Sequence, residues 1–160
     1  MHSHPSAQPL SSPPPAPIPG PVAWLGYGGL LPFVALAAVG LWAPSTPWWS
    51  AALLAYGAVI LSFVGALYWG FAMALSGLST AERTGCFVWS VVPSLMAWPA
   101  TLLPPAGGAA LLVAGFVAHL VQDHRLAART SLPAWYLPLR WRLTTTACVC
   151  LAVGAMAASR

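Results

Sequence analysis

Residues 55–70 read AYGAVILSFVGALYWG, inside an uncharged apolar run from Trp49 to Leu75. That run exceeds the roughly 20 residues that carry a helix across ~30 Å of hydrocarbon. Helical spacing of 100° per residue brings Ala55, Ala58, Ser62, Gly65, Ala66 and Trp69 to within about 60° of Ala51. Leu53, Ile60, Val64, Leu67 and Phe71 fall on the opposite side. In lipid, burying a leucine gains little, so helices associate through close backbone approach and van der Waals contact. The small face, Ala55 to Trp69, is therefore the expected packing face, and the bulky one is expected to meet lipid.

Composition extends this reading to the whole chain. Of 160 residues, 59% are hydrophobic and 5% charged, with a mean hydropathy of +0.76. A water-facing shell needs roughly a quarter of residues charged, so lipid is the expected solvent and the lipid bilayer the first partner. The net charge of +4 comes from arginine without lysine. These arginines sit beside apolar runs instead of forming one basic patch, which argues for a topology signal and against nucleic acid. Cys148 and Cys150 are two apart, about 200° around a helix, and so do not share a metal ion from one face.

Residues 1–21, MHSHPSAQPLSSPPPAPIPGP, hold eight prolines and are expected to form a disordered tail of polyproline character. They lack the basic start and apolar centre of a secretory signal. Five spans are expected beyond them, over about 22–42, 49–75, 86–103, 106–122 and 143–158, giving an all-α polytopic transmembrane bundle; four spans with one re-entrant segment is the alternative. Pro32 in the first span withdraws the partner of the Gly28 carbonyl, and Pro93 and Pro99 in the third do so for Trp89 and Leu95. Ser90 and Ser94 flank Pro93 and are candidates to bond the freed backbone.

Five spans put Arg83, Arg125, Arg129, Arg140 and Arg142 on one side and Arg160 on the other. Arginine-rich short loops stay in the cytoplasm. The expectation is a multi-pass inner-membrane protein with a cytoplasmic N-terminus and a periplasmic C-terminus. Trp42, Trp48 and Trp49 mark the outer interface, and Trp24, Trp69, Trp89, Trp135 and Trp141 the inner one.

Tyr68, His119, Gln122, Asp123 and Arg140 share a depth near the inner end, with His119, Gln122 and Asp123 on one face of the fourth helix. Ionisable groups at membrane level mark a candidate site. The alternative is interfacial anchoring with an Asp123–Arg140 or Asp123–Arg125 pair. No nucleophile–base pair, metal quartet or Gly-rich phosphate loop is legible, so no catalytic residue, cofactor or metal is expected.

GLLPF (29–33), YGAVILSFVGALYWG (56–70), VVPSLMAW (91–98) and PAWYLPLRWRLT (133–144) resemble the domain-of-unknown-function family 3429 (transmembrane protein 69-like). The resemblance implies a small polytopic protein of bacterial inner membranes or mitochondria, and it supplies no catalytic residues. Members often carry a basic residue where this chain has Tyr68. Taken together, these features point to a structural or interaction component of the membrane, not an enzyme, paired with itself or another membrane protein. A small solute transporter or channel using the kinked first and third helices is the rival.

Overall fold

The computed structural model describes residues 17–46 and 48–159. Residues 1–16, which hold most of the expected proline-rich tail, and Arg160, the one arginine expected on the opposite side, lie outside them. The described chain is an all-helical membrane bundle: α1 (Gly20–Gly28), α2 (Leu31–Trp42), α3 (Trp48–Ala74), α4 (Thr80–Ala100), α5 (Pro105–Ala127) and α6 (Tyr136–Ala158). Helices α1 and α2 together make one apolar stretch, and with α3, α5 and α6 they are long and apolar enough to cross a membrane. Helix α4 is less apolar, because Glu82 and Arg83 fall in its first turn. Its 21 residues nevertheless return along α3, its most extensive neighbour, over about 31 Å at 1.5 Å per residue.

The helix ends follow local chemistry. Helix α1 starts at Gly20 with Pro21 in its first turn, so the last residues assigned to the tail are helical. At the start of α4, the Ser79 hydroxyl accepts from the Glu82 amide, and the Glu82 carboxylate accepts from the Ser79 amide, a capping box. Arg83 then reaches back to donate to the Ala72 and Leu75 carbonyls at the end of α3, placing a cation on the negative end of that helix. Helix α5 runs on to Ala127 and α6 begins at Tyr136. The two segments expected over 106–122 and 143–158 therefore have 23 residues each. Charged residues are admitted to these helices because the critical ones are paired, as shown below.

The expected kink at Pro32 is a full interruption, with Gly29 and Leu30 outside both α1 and α2. Tyr56 of α3 donates its hydroxyl to the Gly29 carbonyl at 2.8 Å. In hydrocarbon an unpaired carbonyl has no water to turn to, so this bond sustains the break. Tyr56→Phe is expected to cost about 1 kcal/mol and to speed amide exchange around Leu30–Phe33; unchanged exchange there would contradict this role. Pro93 and Pro99, by contrast, leave α4 continuous. Ser90 donates to the Phe87 carbonyl at 2.6 Å, not to the carbonyl freed by Pro93.

The packing face of α3 needs correction. Ala58 and Gly65 are buried and Ser62 is half-buried, but Ala55, Ala66 and Trp69 are exposed. The inward face instead carries Leu53, Leu54, Leu61 and Val64. The reason lies on the neighbouring helices, which supply the small residues. Leu54 and Leu61 fit over Gly108 and Gly115 of α5, and Leu53 fits over Gly154 of α6. In return, Leu112 of α5 lies over Gly57, Pro93 of α4 over Gly65, and Trp49 itself over Gly40 of α2. Bulk on one helix meets glycine on the next, which satisfies the close-approach rule without a uniformly small face. Trp49 is consequently a core residue, 1% exposed, while Trp42 and Trp48 are exposed as an interfacial belt requires.

Candidate functional site

Where α3, α4, α5 and α6 converge near the arginine-rich end, the bundle closes on a buried carboxylate. Asp123, fully buried, sits on α5 one turn beyond His119, also fully buried. Its Oδ2 accepts from Arg140 Nε of α6 at 2.7 Å. Its Oδ1 accepts from the Tyr68 hydroxyl of α3 at 3.1 Å and from the Tyr136 hydroxyl of α6 at 3.0 Å. A carboxylate taken out of water requires a counter-charge and occupied lone pairs, and this arrangement supplies both from two neighbouring helices, α3 and α6.

His119 extends the network to α4. Trp89 Nε1 donates to His119 Nδ1 at 3.1 Å. An indole N–H only donates, so Nδ1 is the accepting nitrogen and a neutral ring carries its proton on Nε2. That nitrogen faces Asp123 Oδ1 at 3.8 Å, beyond hydrogen-bonding range, and has no hydrogen-bond partner among the described residues. The Tyr68 ring meets the imidazole edge-on, with centroids 5.1 Å apart.

Four of the five polar residues singled out in the sequence thus come together: Tyr68, His119, Asp123 and Arg140. Gln122 does not. It is half-buried and lines a separate surface cleft with Glu82, Arg125 and Arg129, because one residue is 100° around the helix from Asp123. Of the two pairings considered for Asp123, the one with Arg140 forms; Arg125 stays exposed. Tyr136 and Trp89 belong to this network and are absent from the residues singled out in the sequence. Tyr136 precedes Arg140 by four residues, the same spacing that aligns His119 with Asp123. Starting α6 at 143 left it in a loop and hid that signal. Trp89 had been assigned only to the membrane interface, yet its N–H points inward.

The orientation of the network leaves some capacity unused. Arg140 binds Asp123 through Nε alone, and among the described residues neither its Nη2 nor the hydroxyl of Thr144 one turn later has a hydrogen-bond partner. At the adjacent rim, Arg129 lies 3.8 Å from Glu82, joining the end of α5 to the start of α4. That pair is solvent-accessible and weak.

Comparison with known proteins agrees with this architecture. Transmembrane protein 69 of Xenopus tropicalis is 35% identical over 135 residues, which cover 81% of this chain and 51% of that protein. The chain therefore spans about half the length of the curated relative it matches. No solved structure matches the chain. The family model described as "Protein of unknown function (DUF3429)" matches residues 18–156, from ahead of α1 into the last turns of α6, and the chain belongs to that family.

Proposed function

We propose that this chain is a non-enzymatic component of the inner membrane, a structural or interaction protein that assembles with a second copy or with another membrane protein. The observation that carries this reading is the state of Asp123. The carboxylate is fully buried, and three donors from two other helices engage its oxygens. Such a group fastens helices. A general acid or base must instead reach the atom whose proton it moves. In this reading the N-terminus is cytoplasmic and the C-terminus periplasmic. Its support is the placement of Arg83, Arg125 and Arg129 about the end where α4 begins and α5 finishes. Ala55 and Ala66, exposed on α3, leave room for another helix to approach.

The test is extraction of the full chain from native membranes in mild detergent, followed by mass measurement and reconstitution. The expected result is a stoichiometric assembly larger than one chain, and vesicles in which the purified protein moves no solute. A monodisperse monomer whose vesicles show solute flux, lost on Asp123→Asn, would replace this reading with the transporter.

A further inference from the structure

At the arginine-rich end of the bundle, a cleft of about 270 Å³ opens between the start of α4 and the last turns of α5. Gln122, Arg125 and Arg129 of α5 line one wall, at i, i+3 and i+7 and hence on one helix face. Ala81, Glu82 and Gly85 of α4 line the other. A Cβ at Gly85 would meet nothing within 4 Å, so this wall leaves the space open. Arg125 and Arg129 are both exposed, and a ligand entering the cleft has access to both.

The charges in the cleft do not cancel. Arg125 has no ion-pair partner among the described residues, and Arg129 approaches Glu82 only to 3.8 Å. Glu82 is also committed elsewhere, since its Oε2 accepts from the Ser79 amide and hydroxyl. Two cations against one anion leave one positive charge. Depth narrows the choice of ligand. Val121, one turn before Arg125, and Val88, three residues after Gly85, are exposed, so both walls continue into apolar surface that faces acyl chains. The anions at the edge of such a surface are the phosphodiesters of the bilayer.

We propose that this cleft binds a singly charged phosphate diester, with Arg125 and Arg129 donating to its oxygens and Gln122 adding a neutral donor. The planar fork of arginine matches phosphate oxygens. One negative charge completes the cleft, whereas a phosphate monoester, at about −1.5 to −2 at pH 7, brings an excess. The Arg129–Glu82 pair is exposed and weak, so it is readily exchanged for the stronger acceptor. The headgroup of an anionic phospholipid and a soluble diester share this chemistry.

The test uses the full chain in dodecyl maltoside, which carries no phosphate. Phosphatidylglycerol and phosphatidylcholine with the same acyl chains are titrated and counted by native mass spectrometry. Glycerophosphoglycerol, the same diester without acyl chains, is followed by ³¹P nuclear magnetic resonance. One saturable phosphatidylglycerol per chain is expected, bound about fivefold more tightly than phosphatidylcholine, whose choline cation opposes the charge of the cleft. Arg125→Gln should erase most of that preference. Glu82→Gln should strengthen binding by a similar factor. Glutamine retains the capping box while removing the competing carboxylate, so a merely structural role for Glu82 predicts no gain. Arg142→Gln removes another exposed arginine, one that donates to Tyr27 outside the cleft, and should change nothing. Phosphatidylcholine binding as tightly as phosphatidylglycerol, equal losses at Arg125 and Arg142, weaker binding in Glu82→Gln, or no saturable binding of either diester would each overturn the inference. The two sources separate while keeping it: glycerophosphoglycerol that saturates and displaces the lipid identifies a soluble diester, and saturation that requires the acyl chains identifies the phospholipid.

Discussion

Asp123→Leu is expected to lower the stability of the bundle by ~3–5 kcal/mol, the cost of breaking a buried ion pair from one side. The loss is large because the substitution strands three groups at once. Arg140, 6% exposed, keeps its charge with no counter-ion, and the Tyr68 and Tyr136 hydroxyls lose their shared acceptor. Arg140→Met should cost less, since Asp123 then retains two tyrosine donors. Tyr136→Phe should cost least, about 1 kcal/mol or under, because a single membrane hydrogen bond contributes little net. Replacing the whole constellation, with Asp123→Leu, Arg140→Met, Tyr68→Phe and Tyr136→Phe together, should recover most of the loss, as apolar replacements of buried ion pairs commonly do. Melting in one detergent across this series checks the ranking. If the fourfold variant is as unstable as Asp123→Leu alone, the network is not the fastening described here.

The same residues show how far sequence reached. The run at 49–75 and the scarcity of charge were enough for an all-helical membrane bundle, because lipid permits few other solutions for an uncharged backbone. Helical spacing aligned His119 with Asp123, and depth brought Tyr68 and Arg140 near them. Side-chain direction around a helix was less legible. Gln122 faces away, Trp89 turns inward, and α3 presents its leucines to the bundle. Each depends on what the neighbouring helix offers at that height, which no single helix encodes. Leu53 reads as lipid-facing until Gly154 is known to lie opposite. The start of α6 was missed for a related reason. Arg140 argues against a membrane helix until Asp123 is there to neutralise it.

Glycine receptors of this kind predict opposite signs for one substitution at different sites. Alanine is favoured over glycine in a helix interior by roughly 1 kcal/mol. At Gly70 of α3 and Gly85 of α4 an added Cβ meets nothing within 4 Å, so Gly→Ala there should stabilise by up to about that amount. At Gly65 the same Cβ would lie 2.8 Å from Pro93 Cγ and 2.9 Å from its Cβ. The pyrrolidine ring is tied to the α4 backbone at both ends and can change little more than its pucker, so α3 and α4 must move apart at this height. Gly65→Ala should therefore destabilise, and Gly65→Leu should do so by ~3 kcal/mol, the upper part of the range for overpacking. Pro93→Ala removes the obstructing ring, and its combination with Gly65→Ala should be more stable than the sum of the two single effects predicts. Thermal melts of the four variants of that cycle, with Gly70→Ala as the open-site control, supply the comparison. Equal shifts at Gly65 and Gly70 would mean that α4 does not lie against α3 at this height.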